Sequence, residues 1–150
     1  MINLVRTNSE NPDFLELVRL LDQDLQIRDG DEHSFYAQFN KVDKIRHVVV
    51  AYAGGEPVGC GAIKEYESGV AEIKRMFVRP KNRGRGIAGQ ILTELETWAS
   101  ELNYYECILE TGVKQPEAIR LYQKSGYERI PSYGQYLNVE NSVCMKKIIK

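Results

Sequence analysis

The chain has 150 residues, 43% of them hydrophobic and 27% charged, with a formal net charge of −1 at pH 7. That length is enough to bury a core without disulfides or metals, and that charge excludes a global pull toward nucleic acid or anionic lipid. The first ten residues hold no apolar leader segment and no apolar run nears the ~18 residues of a membrane span, so one cytoplasmic domain spanning 1–150, with no membrane partner, is expected.

The elements follow in order. Ile2 to Arg6 predicts a short strand, and Phe14, Leu17, Val18, Leu21 and Leu25 recur at helical spacing. The acidic stretch Asp22 to Glu32, with Gly30 as breaker, ends that helix, and a second short helix is expected over Ser34 to Phe39. His47 to Ala53, Pro57 to Tyr66 and Val70 to Val78 predict an antiparallel meander turning at Gly54-Gly55 and Ser68-Gly69, and Pro80 stops it. From Gly86 the period changes to 3.6: Ile87, Ile91, Leu92, Leu95, Trp98, Ala99 and Leu102 form one stripe of a long helix, with Asn103 as its C-cap. Tyr105 to Glu110 is a strand, Pro116 to Ser125 a helix with proline in its first turn, and Tyr127 to Ile130 and Val143 to Ile148 are the last strands. The order β-α-α-β-β-β-α-β-α-β-β predicts an α+β, mixed-sheet fold.

Cys60, Cys107 and Cys144 have no CxxC spacing and sit in strand-like runs, which reads as three small buried hydrophobes. No metal-ligand spacing involves His33 or His47, so no metal is expected. Lys74, Arg75, Arg79, Lys81, Arg83 and Arg85 crowd into twelve positions, and the run Val78 to Ala88 places glycines between a strand and a helix. Free N–H groups and the positive dipole end at a helix N-terminus attract an anion, glycine lets a phosphate approach, and guanidinium groups supply counter-charge. The plain alternative is a loop needing positive φ among surface arginines. No Walker A loop is present. A nucleic-acid patch is disfavoured because no aromatic residues interleave with the basic run.

Arg83-x-x-Gly86-x-Ala88 resembles the (Arg/Gln)-x-x-Gly-x-(Gly/Ala) signature of the GNAT superfamily of N-acetyltransferases. Ala118, Leu121, Tyr122, Gly126 and Tyr127 resemble that family's A-x-x-L-Y-x-x-x-G-(F/Y) motif, and the two motifs stand at the right separation. The resemblance covers nearly the whole chain. It implies a mostly antiparallel sheet of six to seven strands, flanked by about four helices, with the fourth and fifth strands splayed. It implies acetyl-CoA as co-substrate, its pantetheine arm along Met76, Phe77 and Val78 and its pyrophosphate on the amides of Arg83, Gly84, Arg85, Gly86, Ile87 and Ala88. Gln115 stands where many relatives carry Asn, which puts that cofactor contact in doubt.

The implied reaction is acetyl transfer to a primary amine of a small molecule or peptide by direct attack in a ternary complex. A thioester is reactive enough to need no protein nucleophile. The rival expectation is a non-catalytic acetyl-CoA sensor or regulatory module. Tyr122 is the expected acid, since a phenol with pKa near 10 keeps its proton at pH 7; the alternative is a core aromatic with its hydroxyl tied off. Glu72 is the expected base. Simple alternation puts it on the same side as Met76, unless a bulge intervenes; the alternative is an ion pair with Lys74 or Arg75 on a solvated face. The acidic stretch near the N-terminus suits a cationic acceptor, as solvated loop acidity also does. Tyr133 and Tyr136 either line an acceptor pocket or flank a surface turn at Gly134. A homodimer is left open by the sequence.

Overall fold

The computed structural model describes residues 1–29 and 44–150. Seven strands form one sheet: β1 (Ile2–Thr7), β2 (His47–Ala53), β3 (Glu56–Glu67), β4 (Val70–Val78), β5 (Glu106–Gly112), β6 (Glu128–Ile130) and β7 (Ser142–Ile148). Their order is β1-β2-β3-β4-β5-β7-β6. Every neighbouring pair is antiparallel except β4 and β5. The described residues form three α-helices: α1 (Pro12–Asp29), α2 (Ile87–Glu101) and α3 (Pro116–Lys124). The helix expected over Ser34 to Phe39 lies outside the described residues.

The apolar patterns decide which face each helix covers. Phe14, Leu17, Val18 and Leu21 of α1 pack on Val48, Val50, Cys60, Ala62 and Phe77. Ile87, Ile91, Leu92, Leu95 and Ala99 of α2 pack on the opposite face, against Val49, Ala51, Val58, Ile63, Ala71 and Ile73. Successive valines of β2 therefore point into different cores, which is why that strand is an unbroken apolar run. Asn11 starts α1 by accepting from the N–H groups of Asp13 (2.9 Å) and Phe14 (3.0 Å). Gly61 lets α2 lie close on β3, because a Cβ there would come within 2.8 Å of Leu95 Cδ1.

Two features of β4 build the site. Its parallel pairing with β5 holds only from Val70–Glu72 against Glu106–Ile108, although β4 runs on to Val78 and β5 to Gly112. The strands part there and leave a slot. The second feature is a bulge: Cys60 lies opposite Phe77 but Ala62 opposite Lys74, so β4 spends one more residue than β3. Arg75 adopts φ 60° at that point, a left-handed conformation that non-glycine residues rarely take.

The bulge overturns the simple alternation. Ala71, Ile73, Met76 and Val78 belong to the α2 face and Phe77 to the α1 face. Glu72 and Lys74 line a cavity with Leu21 and Leu25 of α1, and Arg75 pairs with Asp22 of the same helix. Glu72 therefore does not share a sheet face with Met76. It reaches the region beside Met76 from the α1 side, through the opening between the strands.

Candidate functional site

Two cavities meet at the splay. The first, of about 300 Å³, is a slot lined by Met76, Phe77, Val78, Arg83, Gly84, Gly86, Ile87, Ala88 and Gln115, and closed by Ala118, Leu121 and Tyr122 of α3. Among the residues expected to hold a cofactor, only Arg85 is not in this wall. Its side chain is exposed.

One end of the slot is a cradle built from backbone. Gly84 and Gly86 have φ 80° and 76°, and a Cβ built on either would point into open space. Gly86 caps α2 in the left-handed conformation, and no side chain hydrogen-bonds the cap. The first N–H groups of α2 have no partner within the helix by its geometry, so donors and dipole face a space free of side chains. Asn82, 8% exposed, lines the same slot, and its Oδ1 has no hydrogen-bond partner among the described residues. An open cradle and an unpartnered buried amide oxygen fit a polar, phosphate-bearing ligand.

The basic run does not form one patch. Arg75 is buried at the bulge, Arg79 Nε donates to the Pro57 carbonyl at 2.7 Å, and Lys81 pairs with Glu56 at 2.8 Å. Arg83 Nε donates to the Val78 carbonyl at 2.8 Å, with its guanidinium 5.6 Å above the Phe77 ring and 3.8 Å from Asp24.

The second cavity, about 100 Å³, shares Leu21, Met76, Gln115, Ala118 and Tyr122 with the slot, and besides Leu25 and Ile73 its wall holds the polar groups of Glu72, Lys74, Arg75, Glu110, Thr111 and Tyr136. Glu72 is 7% exposed, so it is not on a solvated face. Its Oε2 accepts from the Tyr133 hydroxyl at 2.7 Å, and its Oε1 is 3.7 Å from Lys74 Nζ. Burial and the Glu72 carboxylate push the Tyr133 phenol well above its usual range. Gly134–Tyr136 is a one-turn 3-10 helix that carries Tyr136 into the cavity wall.

Tyr122 stands at the junction of the two cavities. It is 6% exposed and meets Tyr127 edge-on at 5.8 Å, while its hydroxyl has no hydrogen-bond partner among the described residues. Burial first, then the Glu110 carboxylate, raise this phenol above its usual pKa. The three cysteines are buried. Burial pushes Cys60 and Cys107 up to about 12, so neither supplies a thiolate near neutral pH.

Sequence reasoning missed Asn82 and Glu110. Glu110 accepts from Ser142 Oγ at 2.6 Å and lies in the cavity with Glu72. A glutamate ending a strand and an asparagine in a basic loop carry no pattern of their own. Among the described residues no group of three or more His, Cys, Asp and Glu is arranged to hold a metal, and no helix is long and apolar enough to cross a membrane.

A parallel strand pair that opens into a slot, ending at a glycine-bordered helix N-terminus, defines the acyl-CoA N-acyltransferase class of fold. The chain belongs to the acetyltransferase (GNAT) family, whose sequence model it matches over residues 13–127. It is 40% identical over 100 residues to an "IAA acetyltransferase" of Azospirillum brasilense, across 66% of this chain and 65% of that protein. The chain thus spans just under two thirds of the length of that relative. A Klebsiella pneumoniae protein assigned to the acyl-CoA N-acyltransferases superposes with a TM-score of 0.83 at 28% identity, covering 100% of this chain and 99% of the other. The PaiA N-acetyltransferase of Thermoplasma acidophilum, solved with coenzyme A, shares the fold with a TM-score of 0.72 at 17% identity over 99% of each chain.

Proposed function

We propose that the chain transfers an acetyl group from acetyl-CoA to a primary amine of a small molecule or peptide, by direct attack in a ternary complex. The observation that carries this reading is Tyr122, a buried residue whose hydroxyl stands without a hydrogen-bond partner among the described residues where the slot meets the cavity holding Glu72. The slot then takes the donor: Met76 to Val78 lie along the pantetheine arm, and the amides from Arg83 to Ala88 with Gln115 border the phosphate end. Arg83, now on the Val78 carbonyl, gives up or shares that acceptor when the arm pairs with β4.

The acceptor amine loses a proton to Glu72, directly or through one water, and attacks the thioester carbonyl. A C–N bond forms, the C–S bond breaks, Tyr122 gives its own proton to the leaving thiolate, and the second proton shed by the acylated nitrogen restores the phenol. A phenol whose pKa lies above 10 is a weak acid in solution. It suits this step because it stays protonated throughout the working range and meets the thiolate in a dry site. The Tyr133 hydroxyl holds the Glu72 carboxylate in position through its Oε2, and Lys74 lies 3.7 Å from the other oxygen.

Thermal shift with acetyl-CoA, followed by an acceptor screen that monitors free thiol, tests the reading. A raised melting temperature and amine-dependent thiol release are expected. Binding without release for any amine class would favour a sensor, and no binding would remove the donor assignment itself.

A further inference from the structure

The Lys74 side chain is only 13% exposed, yet its ammonium reaches just one group among the described residues, Glu72 Oε1, at 3.7 Å. That distance is beyond a hydrogen bond. An ammonium placed there merely to neutralise Glu72 would be expected to close to contact, as Lys81 and Lys147 do at 2.8 and 2.9 Å on their own carboxylates. Three strong donors are thus left facing a polar cavity that opens onto Tyr122. Arg75, the other cation of that wall, is committed to Asp22 at 3.3 Å. An ammonium that lines a narrow polar cavity without a hydrogen-bonded protein acceptor is available to an anionic ligand group. The same ammonium repels a second positive charge, so the cavity discriminates against a polyamine.

We propose that the acceptor is an amino-acid-like zwitterion. Lys74 receives its carboxylate or comparable oxyanion, and the reacting amine lies against Glu72 and Glu110. This inference rests on the amine-acceptor reading above and adds the substrate class. In this arrangement Lys74 is the specificity-determining residue, and Glu110 is a second carboxylate facing the amine.

The test is thiol release from acetyl-CoA with matched triplets: L-amino acids of apolar, polar, acidic and basic side chain, each beside its carboxamide and its decarboxylated amine, with spermidine as a plain polyamine. At least one free acid should exceed its carboxamide tenfold or more in kcat/KM, with the difference in KM. Lys74→Met should bring that ratio within about twofold, and Lys74→Arg should keep most of it. Carboxamides, simple amines or spermidine turned over as well as the acids by the wild-type protein would overturn the proposal, whatever the variants do. So would an equal loss on acid and carboxamide in Lys74→Met. A silent panel with acetyl-CoA bound, as judged by thermal shift, rejects the zwitterion class while the donor assignment stands. Absence of acetyl-CoA binding rejects both.

Discussion

The slot and the proposed acceptor cavity touch at Tyr122, but they are made differently. The slot's proposed phosphate end is one short stretch between Asn82 and Gly89, and the groups it offers are main-chain N–H donors at one helix terminus. The cavity draws Leu21 from α1, Glu72 and Lys74 from β4, Glu110 from β5, Tyr122 from α3 and Tyr136 from the turn before β7. A site built from backbone depends on where glycine sits in one short segment. A site built from side chains depends on how separate elements come together, and it can change chemistry one residue at a time.

The largest effect should come from the backbone site. Gly86→Val places a branched side chain in the cradle and forces it into φ 76°. Acetyl-CoA binding should weaken by on the order of 10²-fold, from the loss of one or two charge-assisted contacts. The melting temperature should also fall, because the left-handed conformation costs a non-glycine residue about 1–3 kcal/mol. Gly55→Val is the matched control. Gly55 has φ 83° and equally open surroundings, but it lies in the β2–β3 turn. It should show similar strain with unchanged binding. Equal binding by both variants would dissolve the contrast between the two regions.

Tyr122→Phe separates the regions at their junction. The hydroxyl has no partner among the described residues to orphan, and the ring contact with Tyr127 is kept. Stability should hold within about 0.5 kcal/mol, acetyl-CoA binding should persist, and kcat should fall about 10²-fold. The alternative of a tied-off core hydroxyl predicts the reverse, with about 1–3 kcal/mol lost and kcat unchanged. Because burial and Glu110 raise this phenol, the wild-type rate should show no alkaline fall from Tyr122 between pH 7 and about 10.

Glu72→Gln probes the side-chain cavity alone. The amide can still accept from Tyr133, so the fold should persist while the base is lost. The rate should drop about tenfold near neutral pH, where free amine is scarce, and recover as pH approaches the amine pKa of about 10. Acetyl-CoA affinity should not move. A pH-independent loss would make Glu72 a structural anchor for Tyr133 and Lys74.

The same contrast explains what was legible in the sequence. Element order and the helix start near Ile87 follow from periodicity and the glycines before the helix, because each is local, whereas the splayed pair was expected only through the family resemblance. The bulge at Arg75 is not local. Nothing in Lys74-Arg75-Met76 announces that two successive side chains will share the α1 face; that follows from β3 registering Cys60 and Ala62 two residues apart against three on β4. Strict alternation therefore grouped Glu72 with Met76 on one face, whereas the two line a common cavity from opposite sides of the sheet. The basic run looked like one patch for a related reason. Its members lie on a bulged strand and a loop, and their carboxylate and carbonyl partners come from α1 and β3.

The smallest effect on catalysis should come from the thiols. Cys60 is fully buried behind the bulge and donates its S–H to the Arg75 carbonyl at 3.3 Å. Cys60→Ala should cost about 1 kcal/mol at pH 7 through lost packing and that weak bond. The kcat should stay near wild type, because a thiol pushed up to about 12 by burial forms no acetyl-enzyme at working pH. The sign of the pH dependence follows from the same shift. A folded-state pKa above the unfolded value of about 8.5 means that the unfolded chain sheds this proton first. The thiol's contribution is therefore complete below that value and is lost as pH rises toward 12, by at most about 1.4 kcal/mol per pH unit. The gap in melting temperature between wild type and Cys60→Ala should accordingly narrow from pH 7 to pH 10. A gap that widens would mean that the thiolate is stabilised in the folded protein. Ping-pong kinetics, or an acetyl group trapped on any of the three cysteines, would replace direct transfer by a covalent route.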